Sequence, residues 1–323
     1  MKFSIIMPVY NSCTSLEKSI NSILNQNFQN WELIAVDDGS TDNSYDILKK
    51  YNAKDSRIKC YTKKNSGPGN TRNYGIDKAS GDYIAFLDSD DYYELDFLDK
   101  VNELLEKNNC DVIFLNTINE QPSGKVDYCD NLHNFNGMSK DELIGLQMSG
   151  KLPWGPCSKV TKAEIVKECT FLDLAVGEES IYSFDLLSKA KSICFLKKPI
   201  YHYVHNDSGQ HKKGGNDPWK QIVESMNNHL IELNLKSKFN DALASLAINA
   251  LIISIYRLSL ENSIISARLE IRKKIKEYKK DYNLEDYNKN YLNTKSKLIY
   301  FLIKHNLILL VIISSKIRKM FYK

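Results

Sequence analysis

Between Gly81 and Asp91 the chain reads Gly-Asp-Tyr-Ile-Ala-Phe-Leu-Asp-Ser-Asp-Asp, an apolar run that stops in three carboxylates within four positions. Tyr83 to Leu87 shows no alternation of apolar and polar residues, which predicts a strand buried on both faces, as in a parallel sheet. In open α/β sheets, ligands bind beyond the carboxyl ends of such strands. Asp88 and Asp90 stand two apart, so an extended backbone turns both side chains to one face. Two close carboxylates repel each other unless a cation lies between them. A hard divalent ion such as Mg²⁺ takes one or two carboxylates together with substrate phosphates. One reading is therefore a metal–diphosphate site at a strand end. The other is a turn or cap leading to the next helix, which acidic residues after a strand also make. A calcium loop is excluded, because Tyr93 stands where glycine is needed and Asp99 where glutamate is needed.

The flanking sequence repeats the same unit. Ser4 to Val9 predicts a buried strand, followed by a turn at Tyr10-Asn11 and a helix from Ser15 with Leu16, Ile20, Ile23 and Leu24 on one face. Trp31 to Val36 predicts a second strand ending at Asp37-Asp38-Gly39-Ser40, then a helix capped by Thr41 or Asp42. Ile58 to Tyr61 predicts a third strand, Asn65 to Gly69 a loop, and Thr71 to Lys78 a short helix. A helix around Phe97 to Leu105 and a strand from Val112 to Leu115 follow the carboxylate run. Strand and helix at this spacing call for an α/β fold, a mainly parallel sheet with helices on both faces.

Such sheets bind nucleotides, but the usual phosphate-binding loops are missing. The turn after the first strand has no glycine, Gly67-Pro68-Gly69 lacks a third glycine, and no GxxxxGK[ST] occurs. Diphosphate charge is then left to a metal at Asp88 and Asp90, with Arg72 assisting, which is the logic of an enzyme acting on sugar nucleotides. A net charge of +4 and the absence of Arg-rich or RNP-like motifs argue against a nucleic-acid partner. The seven cysteines (Cys13, Cys60, Cys110, Cys129, Cys157, Cys169 and Cys194) are scattered and form no CxxC pair, so free thiols in a reducing cytoplasm are expected and no zinc site. Phe3 to Val9 is too short for the core of a signal peptide.

Four segments in order resemble the signatures of family 2 glycosyltransferases: Pro8-Val9-Tyr10-Asn11, Val36 to Asp42, Ser66 to Asn73, and Leu87 to Asp91. The resemblance covers the first two thirds of the chain. It implies a GT-A fold (Rossmann-like), a nucleotide-diphospho-sugar donor, UDP-sugar above all, and inversion at the anomeric carbon. It implies that Pro8, Val9 and Tyr10 flank the base and that Asp38 accepts a hydrogen bond from the uracil ring. Arg72 would contact the diphosphate or the sugar, Asp88 the ribose or a metal-bound water, and Asp90 a Mn²⁺ or Mg²⁺ ion, with Asp91 orienting the site. The residues themselves leave other readings open: Asp37 and Asp38 form turns before Gly39, and an arginine at 72 also suits a solvated helix surface.

The next hundred residues would hold the acceptor half. Asn116 to Ser149 is polar and irregular, a hairpin or surface excursion. Trp154 to Lys159 resembles the family's Trp-x-x-x-x-Lys segment beside the acceptor, where an indole can stack on a sugar; a core tryptophan is the alternative. Glu178-Glu179 stands in the place of the family's Glu-Asp pair, so Glu179 would be the general base that deprotonates the acceptor hydroxyl, with Glu178 beside it. Acids also favour a helix N-terminus for structural reasons alone. Val204 follows Tyr203 where the family usually shows arginine, and His202, His205 and His211 lack a fourth zinc ligand nearby.

The expected organisation is a catalytic domain over 1–215, divided into a donor half (1–115) and an acceptor half (116–215), and a helical region over 216–323. The apolar stretch Leu298 to Ile313 is interrupted by Lys304-His305-Asn306 and flanked by Lys295, Lys297, Lys316, Arg318 and Lys319. It is too broken to span a bilayer. A helix lying on an anionic membrane face and a helix packed on the catalytic domain or in a homodimer both fit. The function expected is transfer of one hexosyl or N-acetylhexosaminyl unit to a glycan or lipid-linked acceptor in surface-polysaccharide synthesis, in the cytoplasm or on its membrane face. A sugar-phosphate nucleotidyltransferase and a catalytically silent scaffold are the alternatives.

Overall fold

The computed structural model describes residues 1–174, 176–205 and 217–321. Two compact units divide the chain. The first comprises Met1–Lys140, Trp154–Leu174 and Ile181–Lys212; the second comprises Asp141–Pro153, Ala175–Ser180 and Lys213–Lys323.

The first unit opens with β1 (Phe3–Val9), α1 (Leu16–Leu24), β2 (Trp31–Asp37), α2 (Ser44–Lys54), β3 (Ile58–Thr62), α3 (Pro68–Lys78) and β4 (Tyr83–Phe86). β5 (Tyr92–Tyr93), α4 (Phe97–Asn108), β6 (Val112–Glu120) and β7 (Val126–Cys129) come next. α5 (Lys140–Met148) then passes into the second unit, and β8 (Lys159–Lys162), α6 (Ala163–Lys167), α7 (Glu178–Lys189) and β9 (Ile193–Val204) follow in the chain. The strands form one mixed sheet in the order β3-β2-β1-β4-β8-β6-β9-β5, with β7 paired to β6. β3, β2, β1 and β4 are mutually parallel and β6 is parallel to β9, whereas β8 is antiparallel to both β4 and β6. Consecutive residues of β1, β2 and β4 are buried, which requires cover on both faces and accounts for their unbroken apolar sequence.

Three local expectations need revision. α3 begins at Pro68, not Thr71: Gly67 takes a φ of +87°, and a proline at the first helical position gives up no hydrogen bond. The excursion after Asn116 is the β6–β7 hairpin followed by a helix, α5, whose buried run from Leu143 to Met148 lacks a polar face and so reads weakly as a helix. The cysteines are not all free. Cys110, just ahead of β6, and Cys194, on β9, form a disulfide with Cα atoms 6.1 Å apart. They lie 84 residues apart in sequence, and only the parallel pairing of β6 with β9 brings them together. Five cysteines remain as thiols.

The second unit is helical. α8 (Pro218–Glu232), α9 (Asn240–Glu261), α10 (Ile264–Asp281), α11 (Thr294–Lys304) and α12 (Ile308–Phe321) pack largely around α9, whose Leu243, Leu246, Ala247, Ala250, Leu251 and Ile255 are buried.

Candidate active site

Four loops meet at the carboxyl ends of β1, β2 and β4, and they are stitched together by named hydrogen bonds. Asn11 adopts a φ of +50°, accepts from the Thr41 amide at 2.8 Å through its side chain, and donates its own amide to Ser40 Oγ at 3.0 Å. The Asp38 amide donates to the Val9 carbonyl at 2.8 Å, which fixes the end of β2 against that of β1. Asp37 accepts from Thr62 Oγ1 at 3.0 Å and from the Ser40 amide. Asp38 accepts from the amides of Ser66 and Gly67, at 3.0 and 2.9 Å, and pairs with Lys63. Its carboxylate thus shapes the entry to α3. Pro8 is half-buried, Val9 buried and Tyr10 exposed at the mouth of this region.

α3 carries Arg72 into the same place. Its guanidinium is buried, donates to Asp88 Oδ1 at 2.9 Å and lies 5.5 Å from the Phe171 ring. Asn73 exchanges two hydrogen bonds with the Phe171 backbone, at 2.8 and 2.9 Å, and so holds that ring beside Arg72. The reading of Arg72 as a solvated surface residue is therefore wrong: Thr71, Arg72 and Gly75 are on the buried side of α3.

Asp88 and Asp90 are half-buried, and Asp91 is buried. Asp91 accepts from Tyr201 Oη at 2.5 Å and from the Val204 amide at 2.8 Å, which ties the end of β9 to the carboxylate loop. Burial pushes its carboxyl up to about 8, and the negative charges of Asp88 and Asp90 add to the rise. Three carboxyl groups are thus held close with Arg72 paired to one of them. Among the described residues no cluster of three or more His, Cys, Asp or Glu is arranged as a metal cage. A half-buried pair of carboxylates in an electrostatically overloaded loop fits an ion such as Mg²⁺ or Mn²⁺, which completes its shell with water and phosphate oxygens.

Sequence reading missed the device that fixes this loop. Ser12, Ser15 and Ser19 form a hydroxyl stripe at and before α1. Ser12 Oγ meets Ser89 Oγ at 2.6 Å, Ser15 Oγ donates to the Ser89 carbonyl at 2.9 Å, and Ser19 Oγ reaches the Asp91 carbonyl at 2.6 Å. The signal was present as serines at helical spacing along the flank of the apolar face of α1. Tyr201 left no such trace.

Trp154 is half-buried, and its carbonyl accepts from Ser183 Oγ at 2.6 Å and Lys159 Nζ at 3.2 Å. The buried Lys159 ammonium also donates to the Gly155 carbonyl at 2.9 Å, so this lysine closes the turn that begins at Trp154. In the second unit, Gly177 at φ +88° starts α7, and Ser180 anchors that start through its amide and hydroxyl to the Gly177 carbonyl. Glu178 and Glu179 fill the first turn and are half-buried. His202 has Nδ1 2.8 Å from Glu120 and Nε2 2.7 Å from Glu94, and it stacks on Tyr92. Both ring nitrogens are thereby engaged by carboxylates, a clasp between β9 and its neighbours. His205 donates its amide to the Glu120 carbonyl at 2.9 Å; His211 lies outside the described residues.

Residues 4–149 match the family model described as Glycosyl transferase family 2. The chain is 31% identical over 212 residues to EpsH of Bacillus subtilis, covering 64% of this chain and 61% of that protein. It is 33% identical over 221 residues to the poly(ribitol-phosphate) beta-glucosyltransferase of Bacillus spizizenii, covering 65% and 33% respectively. The chain thus spans less than two thirds of these relatives. Among solved structures it is similar to residues 1–349 of Staphylococcus aureus TarS in complex with UDP-GlcNAc, with a TM-score of 0.60, 21% identity and 89% of each chain covered. It is also similar to the mannosyltransferase PcManGT of Pyrobaculum calidifontis in complex with GDP-Man and Mn²⁺, with a TM-score of 0.52, 12% identity, and 100% and 88% coverage. Both likenesses are of fold.

Proposed function

The chain belongs to the family 2 glycosyltransferases, and from that premise we propose that it moves a sugar from a UDP-sugar to a hydroxyl of a surface glycan or lipid-linked acceptor, with inversion. The observation that carries this reading is the interlock of the four motif loops, above all Arg72 bonded to Asp88 beside Asp90 and Asp91. A buried guanidinium at the mouth of a parallel sheet suits a diphosphate, because it presents fixed donors without cost in reorganisation. Pro8, Val9, Tyr10 and the Asp38 loop border the room for the base. TarS with UDP-GlcNAc and the ribitol-phosphate glucosyltransferase support a UDP-sugar and a cell-wall polymer as the chemical classes.

Asp90, with Asp88, would hold the divalent cation. When bound, the ion neutralises charge developing on the departing diphosphate. Arg72 orients the same group from the protein side. Asp91, tied to Tyr201 and Val204, keeps the carboxylate loop in register. Glu179 is assigned the role of base on the motif it resembles: it takes the acceptor proton as the new bond forms, since a neutral hydroxyl is a poor nucleophile. Trp154 offers a face for an acceptor sugar.

The test is a panel of UDP-sugars incubated with Mn²⁺ or Mg²⁺ and followed for released nucleotide. UDP release that falls about 10²–10³-fold in Asp90→Ala is expected, the scale of losing one charge-stabilising group. Pyrophosphate release from a sugar phosphate and UTP would instead make the protein a nucleotidyltransferase. Undiminished turnover in the variant would remove Asp90 from the site.

A further inference from the structure

The charge of this chain is divided unevenly along its length. Residues 262–323 hold fifteen Lys and Arg against five Asp and Glu, while residues 1–261 hold twenty-nine against thirty-five. The small overall charge therefore hides an acidic body and a strongly basic C-terminal segment, an asymmetry that points to an anionic partner.

In the helical unit the basic segment is α10, α11 and α12, and it exposes apolar side chains that a water-facing surface does not need. Ile265 is 78% exposed and Leu269 63% on α10, four residues apart and so on one face. Leu309, Leu310, Ile313 and Ile317 form an exposed stripe on α12. α10 and α12 pack on each other, and Lys316 Nζ donates to the Asn262 carbonyl at 2.8 Å, which sets the Ile317 end of α12 beside the start of α10. Exposed Arg268, Arg272 and Lys273 rise from the same helix as Ile265 and Leu269.

We propose that this face rests on an anionic lipid surface, its apolar stripes in the headgroup–acyl boundary and its basic residues against lipid phosphates. Exposed apolar stripes next to a dense basic face are what an interfacial helix presents. A second copy of this chain fits less well, because a two-fold interface would set the same basic surface against itself. Spanning is not the mode: the one described helix long and apolar enough to cross a bilayer is α9, which is mostly buried within its unit, and the apolar part of α12 is too short. The inference is independent of the catalytic reading.

The experiment is flotation of the full chain with vesicles of phosphatidylcholine alone or with phosphatidylglycerol added. Flotation with the anionic vesicles only, weakened by salt, is expected. Ile265→Glu/Ile317→Glu should abolish it, and Arg268→Gln and Arg272→Gln should weaken it about fivefold each. None of the four positions is a residue of the candidate site, so unchanged far-ultraviolet circular dichroism and UDP affinity would show that the variants fold. Equal flotation with neutral vesicles, none with either, or unaltered binding by the variants overturns the proposal. So does a lipid-free dimer, seen by sedimentation velocity, that Ile265→Glu/Ile317→Glu dissolves.

Discussion

Glu32 shows how a single buried carboxylate can organise the start of this sheet. It lies on β2, accepts from Ser4 Oγ at 2.7 Å and from the Ser80 amide at 2.7 Å, and pairs with Lys59 at 2.8 Å and Lys2 at 3.0 Å. Burial by itself would raise its carboxyl, yet Lys59, Ser4, Ser80 and Lys2 together hold it well below the usual carboxylate range. A carboxylate depressed in the fold stabilises the protein above its unfolded value, 4.5, and that contribution is lost as pH falls through the folded one. Glu32→Gln should therefore cost about 2 kcal/mol at neutral pH, since it leaves charged and backbone donors poorly met in a buried place. Urea denaturation measures it: the gap between variant and parent should narrow as the pH is lowered below 4.5. A gap that stays constant to pH 3 would mean the charge of Glu32 is not what stabilises β2.

At the scale of elements, α3 is the helix that carries Arg72 to Asp88, and its seat on β1 rests on a glycine. A Cβ at Gly75 would lie 2.5 Å from Ile6 Cγ2 in the middle of β1. Two effects oppose each other in Gly75→Ala. Alanine gains about 1 kcal/mol of helix propensity, whereas overpacking a rigid core costs about 1–3 kcal/mol. At 2.5 Å, with a β-branched side chain that cannot swing away, the clash wins. The variant should be less stable by chemical denaturation, and because Arg72 sits one turn away its KM for donor should rise more than its kcat falls. Equal or greater stability would show that α3 can lift from β1 freely. The motif segments around α3 were legible in the sequence because each couples an apolar strand to a polar end. Gly75 was not, since a glycine inside a helix pattern announces only weak propensity; its close approach to Ile6 exists only once α3 is laid across the sheet. The same holds for the Cys110–Cys194 disulfide, for α5, whose buried run hid its period, and for Tyr201, which reaches Asp91 from 110 positions away.

Over the whole molecule, the residues singled out by the motifs are divided between the two units. Asp38, Arg72, Asp88, Asp90 and Asp91 belong to the first, and Glu179 to the second, in the short segment Ala175–Ser180 that clusters with the C-terminal helices. Sequence order put the base in a catalytic domain ending at residue 215, and no local pattern distinguishes that assignment from the observed one, because membership of a unit is decided by packing and not by motif. The division makes a prediction about kinetics. Glu179→Gln should lower transfer to acceptor about 10²–10⁴-fold, the usual loss on removing a general base, while the affinity for UDP, measured by calorimetry with Mn²⁺ present, stays as in the parent. Arg72→Ala should do the reverse and weaken UDP binding first. If Glu179→Gln loses UDP affinity as much as turnover, the glutamate serves donor binding and the proton must go elsewhere. If Glu179→Gln keeps full transfer while Glu178→Gln loses it, the base is the preceding residue, and the extra methylene of glutamate over the family's aspartate has shifted the role by one position along α7.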